Sequence, residues 1–274
     1  MKRALLLILT IVILLVAFSS CQITGCSYAD LDYENSLRYQ KGGASIDADV
    51  TQIEIEWIIG SVSIEYHDKN TIEFSEESNL EIDNKHTLRY YNDGNTLHIK
   101  YGKKGKFALG VGAIEKDLTI KLPRDFLLKE LEIDSVSASI LSNEPIRAEN
   151  IDIESVSGGI AMAVDSVSEI ELETVSGDVE LNGNIKGASI SSVSGDINIS
   201  SSVLTQCEIE TVSGAVTLSV EEESFTLTAS TVSGTVACDF QTTTNDNTFV
   251  CGNGDNEYTI ETVSGNIMLK KIIK

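Results

Sequence analysis

The chain has 274 residues, is 42% hydrophobic but only 6% aromatic, and carries a formal net charge of −22. This length allows one or two domains with a largely aliphatic core. So acidic a surface repels phosphate backbones and anionic lipid headgroups, which argues against nucleic acid as a partner. The acidity is concentrated in residues 131–274, which hold 23 acidic and 5 basic side chains.

The N-terminus has the pattern of a targeting segment. Lys2 and Arg3 precede an apolar run over residues 4–18, which is shorter than the roughly 20 residues that a transmembrane helix needs. This pattern predicts a signal peptide over residues 1–20. Cys21 follows two small residues, so the sequence predicts a bacterial lipoprotein acylated at Cys21, with Cys26 as the alternative attachment site. An uncleaved anchor and ordinary secretion are the remaining alternatives.

Residues 21–44 are mixed and polar, and we expect a lipid-anchored tether there. Residues 45–130 alternate apolar and polar side chains between turns, which predicts an N-terminal β-rich part. Within it, Asn92-Asp93-Gly94-Asn95 lies between two alternating runs and predicts a hairpin. The segment "KYGKKGK" is locally basic (Lys100, Lys103, Lys104, Lys106), which suits a solvated hairpin end or a contact with an anionic wall polymer.

From residue 131 to 274 the chain is an internal repeat centred on Val-Ser dipeptides. The intervals between successive copies are 18–20 residues, except for the last, which is 31 residues. Apolar residues recur five and three positions before the valine and four and six positions after it. A unit this short buries its apolar face only by stacking on its neighbours, so the repeat predicts a parallel β-solenoid of about seven coils. A β-sandwich is the competing fold.

The phase of the apolar positions changes from odd to even across each Val-Ser-Gly. A straight strand cannot hold both sets on one face, so the chain must bend there, with glycine adopting a conformation that other residues avoid. We expect the valine to point inward and the preceding Ser or Thr to form a hydroxyl column. The predicted corner residues are Val156, Gly158, Val175, Gly177, Val193, Gly195, Val212, Gly214, Val232, Gly234, Val263 and Gly265.

The long last interval places an insert at residues 239–257, whose shape is either a side loop or an irregular coil. A disulfide between Cys238 and Cys251 is possible there, because both lie near the insert. The insert has oxygen ligands but not the spacing of a calcium loop, so we predict no metal site. The final "LKKIIK" is expected to cap the exposed end of the stack or to place charge there.

These motifs together resemble a known family. "KDLTIKLPRDFLLKELEIDSVSASI", the "TVSGDV"-type corners and "GNGDNEYTIETVSGNIML" resemble the bacterial "putative adhesin" family with LiaG-like repeats, over roughly residues 46–274. The resemblance implies a cell-envelope β-solenoid of unassigned activity. It offers a second interpretation, an accessory protein of an envelope-stress sensing system. It supplies no catalytic residue.

The serines beside the corner glycines are not predicted to be catalytic, because a nucleophile needs a base within hydrogen-bond reach. His67, His86 and His98 all lie in the other half of the sequence. The paired carboxylates flank inward positions and therefore point outward, as a solvated face. The sequence thus predicts a non-catalytic, lipid-anchored, extracytoplasmic solenoid that presents a binding or scaffolding surface to an envelope polymer or protein, without a cofactor. A polysaccharide-active enzyme is the less favoured alternative.

Overall fold

The computed structural model describes residues 36–102, 114–221 and 223–273. Their strands form one continuous sheet of 20 strands. Pairing is parallel along the stack, and antiparallel pairing is confined to strands at its two ends. The all-β parallel solenoid predicted from the repeat is therefore confirmed.

A short 3₁₀ turn, Ser36–Arg38, precedes the strands. The strands are β1 (Gln40–Lys41), β2 (Ala44–Asp47), β3 (Gln52–His67), β4 (Thr71–Ser78), β5 (Arg89–Asn92), β6 (Thr96–Lys100), β7 (Lys116–Pro123), β8 (Leu128–Ile146), β9 (Ala148–Ser157), β10 (Ile160–Ser176), β11 (Val179–Ser194), β12 (Ile197–Ser201), β13 (Gln206–Ser213), β14 (Val216–Val220), β15 (Phe225–Ser233), β16 (Val236–Cys238), β17 (Thr243–Asn245), β18 (Thr248–Cys251), β19 (Asn256–Ser264) and β20 (Ile267–Lys271).

Each coil consists of an upstream segment, a corner and a downstream segment. In stack order the coils are coil 1 (β6 and β7), coil 2 (β3), coil 3 (β8), coil 4 (β9 and the start of β10), coil 5 (the rest of β10 and the start of β11), coil 6 (the rest of β11 and β12), coil 7 (β13 and β14), coil 8 (β19 and β20) and coil 9 (β15 and β16).

The part before residue 131 contributes two coils that the repeat count missed. β3 pairs in parallel with β8, so that Ile55 lies beside Ile133 and Val62 beside Ile140. β6 and β7 pair with the other edge of β3. The predicted boundary at residues 130/131 therefore lies inside one continuous sheet. The folded part also begins inside the predicted 21–44 tether, because β1 pairs with β5.

The stack order differs from the chain order at the C-terminal end. β19 lies between β13 and β15, and β20 lies between β14 and β16. The last coil of the sequence is thus the second-last coil of the stack. The expectation that the final "LKKIIK" caps the open end is therefore wrong, since Lys270 and Lys271 belong to β20. The insert makes this order possible, because it carries the chain from the end of coil 9 back to the start of coil 8.

Antiparallel strands cover both ends of the stack. At the first end, β4 pairs with β7, and β5 with β6, through the predicted hairpin at Gly94. At the second end the insert forms the hairpin β17–β18, and β18 pairs with Phe225–Thr228 of β15. The insert is therefore a cap on part of coil 9. It belongs to neither expected class, side loop or extra coil.

A buried lysine fastens the first end to the core. The Lys116 ammonium donates hydrogen bonds to Glu76 Oε2 at 2.6 Å, to His86 O at 2.8 Å and to Tyr101 O. It lies 4.9 Å from the centroid of the Trp57 ring, and burial lowers its pKa despite the Glu76 carboxylate. Buried charge is tolerated here because each ammonium proton has an acceptor.

No helix in the described part of the chain is long and apolar enough to span a membrane.

Candidate functional site: an acidic face of the solenoid

The predicted corner glycines lie where the chain turns between the two segments of a coil. Gly158, Gly177, Gly195 and Gly214 have φ between 120° and 141°, a region that side chains rarely adopt. A Cβ at Gly177 would lie 2.2 Å from Gly158 O in the neighbouring coil. Gly234 and Gly265 lack this φ, but a Cβ on either would lie within 2.0 Å of a glycine carbonyl. Glycine thus stacks on glycine along the corner.

The expected inward orientation of the corner valines is wrong. Val232 is 70% exposed and Val263 is 37% exposed, while Val156, Val175, Val193 and Val212 are partly buried. The strict alternation of the upstream segment continues one residue further than expected, so the Ser or Thr before each valine faces inward instead. The phase change therefore falls after the valine.

A hydroxyl column therefore lies inside the corner, as expected, but its bonding differs from coil to coil. Ser155 Oγ donates to Ser157 O at 3.3 Å, and Ser192 Oγ donates to Ser194 O at 3.3 Å. In contrast, the buried hydroxyls of Thr174, Thr211 and Thr262 have no hydrogen-bond partner among the residues that the structure describes. The column is internal and so cannot contact a ligand at the surface.

The outward side of the upstream segments forms the acidic face. In coils 2–5 the two outward positions nearest the corner are carboxylates in every coil, in parallel register: Glu54, Glu56, Glu132, Asp134, Asp152, Glu154, Glu171 and Glu173. Adjacent rungs of a parallel sheet are about 4.8 Å apart, so each column is a ladder of like charges. The pattern resumes in coil 7 with Glu208 and Glu210 after Ser189 and Ser191 in coil 6.

Burial and neighbouring carboxylates raise the pKa of several carboxyl groups on the acidic face. Partial burial, together with the charges of Glu154 and Glu132, raises the pKa of Asp134 to about 7. Burial first, and neighbouring carboxylates second, also raise the pKa of Asp152, Glu154 and Glu173. A raised carboxyl pKa means that the folded chain disfavours the negative form. A cation on this face would relieve that cost.

The acidic face ends at a cationic coil. In coil 1 the positions that continue the two columns are His98 and Lys100. His98 Nδ1 lies 2.7 Å from Glu54 Oε2, and Lys100 forms an ion pair with Glu56. Coil 1 therefore gives each carboxylate of the first rung a side-chain partner, whereas among the described residues the rungs of coils 3–5 have no basic residue in line with them. The carboxylates of the ladder that lack a basic partner among the described residues therefore lie in coils 3–5, in the middle of the stack.

The downstream segments carry a different surface. Their outward positions hold mostly small or neutral side chains, among them Ser63, Ala161, Asn198 and Thr217. At the corner between the two surfaces, Asp178 Oδ1 accepts a hydrogen bond from Asp196 N at 2.9 Å. Acidic residues there serve the backbone of the next coil, so the carboxylate ladder is particular to the upstream side.

Within the described part of the chain, the hydrogen bonds from corner serine hydroxyls go to backbone or to other serines. Ser157 Oγ donates to Val136 O at 3.2 Å and lies 3.1 Å from Ser137 Oγ. The three histidines form contacts elsewhere: His67 with Thr71 O, His86 with Asp83 and His98 with Glu54. None of these contacts gives a corner serine the base that nucleophilic catalysis requires.

A shallow surface recess of about 290 Å³ is lined by Tyr66, Arg124, Asp125, Glu144, Pro145, Arg147 and Asp165. Its carboxylates converge with arginines: Arg124 with Glu144 at 3.1 Å and Arg147 with Asp165 at 3.3 Å. This recess therefore lacks the free pair of carboxyls that glycoside hydrolysis uses.

Cys207, Cys238 and Cys251 are free thiols in the structure. The hypothesised Cys238–Cys251 disulfide is therefore not formed there. Cys251 Sγ points at Glu223 O, 3.1 Å away, and Cys238 ends β16, which pairs with a different strand. Among the described residues no group of three or more His, Cys, Asp or Glu side chains could hold a metal ion.

Several predicted residues lie outside the described part of the chain. They are the attachment candidates Cys21 and Cys26 and the basic residues Lys103, Lys104 and Lys106. Conversely, the sequence argument missed coil 2, although "IEIEWIIGSVSIEY" has a glycine, Gly60, with apolar residues at the repeat's offsets. Gly60 has φ 109°, like the later corners. Comparing the repeat with that segment would have found it.

The fold and the surface define a parallel β-solenoid with one acidic face and one nearly neutral face. The chain belongs to the Toastrack DUF4097 family, whose model matches residues 45–205 and 165–270. Together these matches cover the described coils from β3 to β20. The family resemblance drawn from the corner motifs is thereby confirmed.

Several solved structures are similar to the chain. A protein named a "putative cell adhesion protein" from Clostridium sporogenes is 15% identical, with a TM-score of 0.41, over 85% of this chain and 100% of that chain. A "putative adhesin" from Bacteroides fragilis is 12% identical, with a TM-score of 0.42, over 85% and 98%. A "putative lipid binding protein" from Parabacteroides distasonis is 17% identical, with a TM-score of 0.44, over 87% and 98%. Their names carry no functional argument for this chain at such values. No curated protein matches it.

Proposed function

We propose that this chain is a lipid-anchored, extracytoplasmic solenoid whose acidic face binds a cationic partner without catalysis. The observation that carries the proposal is the carboxylate ladder of coils 2–5, in which partial burial and the charges of neighbouring carboxylates raise the pKa of Asp134 and Glu154. Like charges held in register destabilise the folded chain, and a cationic partner would offset that cost. The partner's chemistry is a positively charged segment of an envelope polymer or protein.

The shape of the face supports binding over chemistry. Its carboxylates repeat at nearly the same two positions in coil after coil, whereas catalysis needs one arrangement once. Repetition at a fixed spacing suits an extended partner that repeats its own charge. The Toastrack scaffold holds these side chains on paired strands, so the surface is pre-organised, which reduces the entropic cost of binding.

The binding test uses oligolysine as the probe and isothermal titration calorimetry as the measurement. The triple variant Asp134→Asn, Glu154→Gln, Glu173→Gln should weaken binding at least tenfold. The matched control Glu77→Gln, Glu81→Gln, Glu180→Gln removes the same number of carboxyl groups from exposed positions off the acidic face and should bind like the unaltered chain. Equal loss in both triples would mean that only net charge matters, and the proposed face would be abandoned.

The location is tested separately through the anchor. Cys21→Ala should abolish fatty-acid labelling and move the protein from the membrane fraction to the medium. Cys26→Ala is the matched control and should leave both unchanged. If Cys26→Ala abolishes labelling instead, the attachment site is Cys26. If neither change alters labelling or fractionation, lipid anchoring is wrong, while the binding proposal is unaffected.

A further inference from the structure

Coil 9 ends the stack, and its outer edge is covered only in part. The hairpin β17–β18 pairs with Phe225–Thr228, and its last bond to this edge runs from Ala229 N to Asn247 O at 2.9 Å. Among the strands that the structure describes, none pairs with the outer edge of residues 230–238. This stretch, residues 230–238, is referred to below as the terminal edge.

The backbone of the terminal edge presents hydrogen-bonding groups to the outside. Thr235 O accepts from Ile267 N at 2.8 Å, and Asp239 N donates to Leu269 O at 3.0 Å. Alternate residues of a parallel strand bond to opposite sides. The N–H and C=O groups of Val236 and Cys238 therefore point away from β20. Such an edge is a template for pairing with another strand.

The terminal edge also leaves apolar side chains incompletely covered. Val232 is 70% exposed, and the inward-facing Val236 and Cys238 are only half-buried. Their equivalents in coils 7 and 8 are at most 1% exposed: Val216, Leu218, Ile267 and Leu269. The terminal edge thus lacks the layer that the rest of coil 9 receives from β18 and that the other coils receive from their neighbours. At the first end of the stack, β4 and β5 provide that layer.

The charge pattern of coil 9 differs from that of the acidic coils. No charged residue occurs between Ser224 and Cys238, and the outward positions of its upstream segment are Thr228 and Ser230. Carboxylates at these positions would repel an identical edge, and charge is a common device against edge pairing. Because Thr228 and Ser230 are neutral and coil 9 is the last coil of the stack, a second copy meets no like-charge repulsion from these positions.

We propose that the terminal edge pairs with the same edge of a second copy across a two-fold axis. Coil 9 bends at its corner into an upstream arm, which is β15, and a downstream arm, which is β16. A two-fold axis along the bisector of these two arms exchanges them between the copies. The upstream arm of one copy then runs antiparallel to β16 of the other, and Val232 lies close to the other copy's Ala237. An unrelated extended peptide would follow only one arm. The contact is isologous and therefore closes as a dimer.

Sedimentation velocity on the purified full-length protein in detergent tests this proposal. Because the paired edge is short, we expect a reversible dimer with a dissociation constant on the order of micromolar. Val232→Glu should raise that constant at least tenfold. Adding Ala237→Lys to this variant should restore the dimer, since the new charges face each other across the axis.

Val212→Glu is the matched control, because it makes the same change at the same corner position inside the stack. It should leave the dimer intact, and circular dichroism melting verifies that each variant folds. A chain that stays monomeric up to about 100 μM overturns the proposal. So does a Val232→Glu variant that is folded and still dimeric, since association would then run through another surface such as residues 1–20. None of these outcomes bears on the acidic face.

Discussion

The corner glycines set how closely successive coils approach at the residue scale. A side chain at Gly177 would meet Gly158 O, and the backbone there has φ 138°. Neither obstacle can be relieved by rotating a side chain, because the clash is with backbone of the neighbouring coil. The serine before the glycine makes only a 3.5 Å contact from Ser176 Oγ to Val156 O. The glycine is therefore the constrained member of the pair.

Gly177→Val should lower the free energy of unfolding by about 2–4 kcal/mol, because it adds both backbone strain and a clash. Ser176→Ala, the adjacent control, should change it by less than about 0.5 kcal/mol. Urea unfolding followed by circular dichroism measures both. Equal and small effects would contradict the corner account.

The inward threonines are a second residue-scale feature. Burying a hydroxyl without a partner costs free energy, and the hydroxyls of Thr174, Thr211 and Thr262 are buried in this way. Serine avoids the cost in Ser155 and Ser192 by reaching a corner carbonyl. Threonine has a methyl group on the same carbon and fewer rotamers available, and of the threonines in this column only Thr231, in coil 9, is seen to reach a corner carbonyl, Gly265 O at 3.1 Å, among the described residues.

Thr211→Val should therefore leave stability unchanged or raise it by up to about 1 kcal/mol, since it replaces an unpartnered hydroxyl with a methyl group of similar size. Ser192→Val is the contrasting variant, which loses a hydrogen bond and adds volume, and it should destabilise. Thermal melting compares the two. A marked loss of stability in Thr211→Val would mean that this hydroxyl has a partner, such as an ordered water.

The order of the coils is the main result at the element scale. The seven repeats share residue types at the same offsets, so each can stack on any other, and pattern alone does not choose the neighbour. The structure places Met268 beside both Thr217 and Ala237. Thr217 and Ala237 are therefore two rungs apart, about 9.6 Å, although their repeats are consecutive in the sequence.

Disulfide trapping distinguishes the two orders. Thr217→Cys with Met268→Cys should cross-link on oxidation, because the two positions are neighbours on adjacent strands. Thr217→Cys with Ala237→Cys should not, because a disulfide needs Cα atoms within about 7 Å. Peptide mapping by mass spectrometry separates these bonds from those of the native cysteines. The reverse result would show that the coils stack in chain order.

The separation of charge between the two surfaces is a property of the whole molecule. Carboxyls with a raised pKa lie on the acidic face, whereas Asp83 and Asp93 at the first end have a pKa lowered by hydrogen bonds from backbone N–H groups. Above pH 4, the carboxyls with a raised pKa bind more protons in the folded state than in the unfolded state. Asp83 and Asp93 bind fewer protons in the folded state, but their effect on stability is complete by about pH 5.

Stability should therefore fall as pH rises from 5 to 8, because Asp134, with a pKa of about 7, must ionise in the folded chain. Asp134→Asn should stabilise the chain by about 1–2 kcal/mol at pH 8 and by less at pH 5, with solvent screening limiting the gain. Glu180→Gln is the control and should show no such pH dependence. Urea unfolding at both pH values measures the effect. A constant difference between the two pH values would rule out this role of Asp134.

The sequence by itself determined the repeat, the bend at each glycine and the outward position of the carboxylates. Alternation along a strand and the small size of the repeat leave few other solutions. It did not determine which way the corner valine faces, because the position of the phase change within Thr-Val-Ser-Gly depends on backbone geometry. Only the tertiary structure decided that coil 8 lies between coils 7 and 9, that β6 and β7 together form a further coil, and that the terminal edge is left open. These features depend on pairing between residues far apart in the chain. Because the coils share the same residue types at the same offsets, the sequence pattern does not indicate which coils pair.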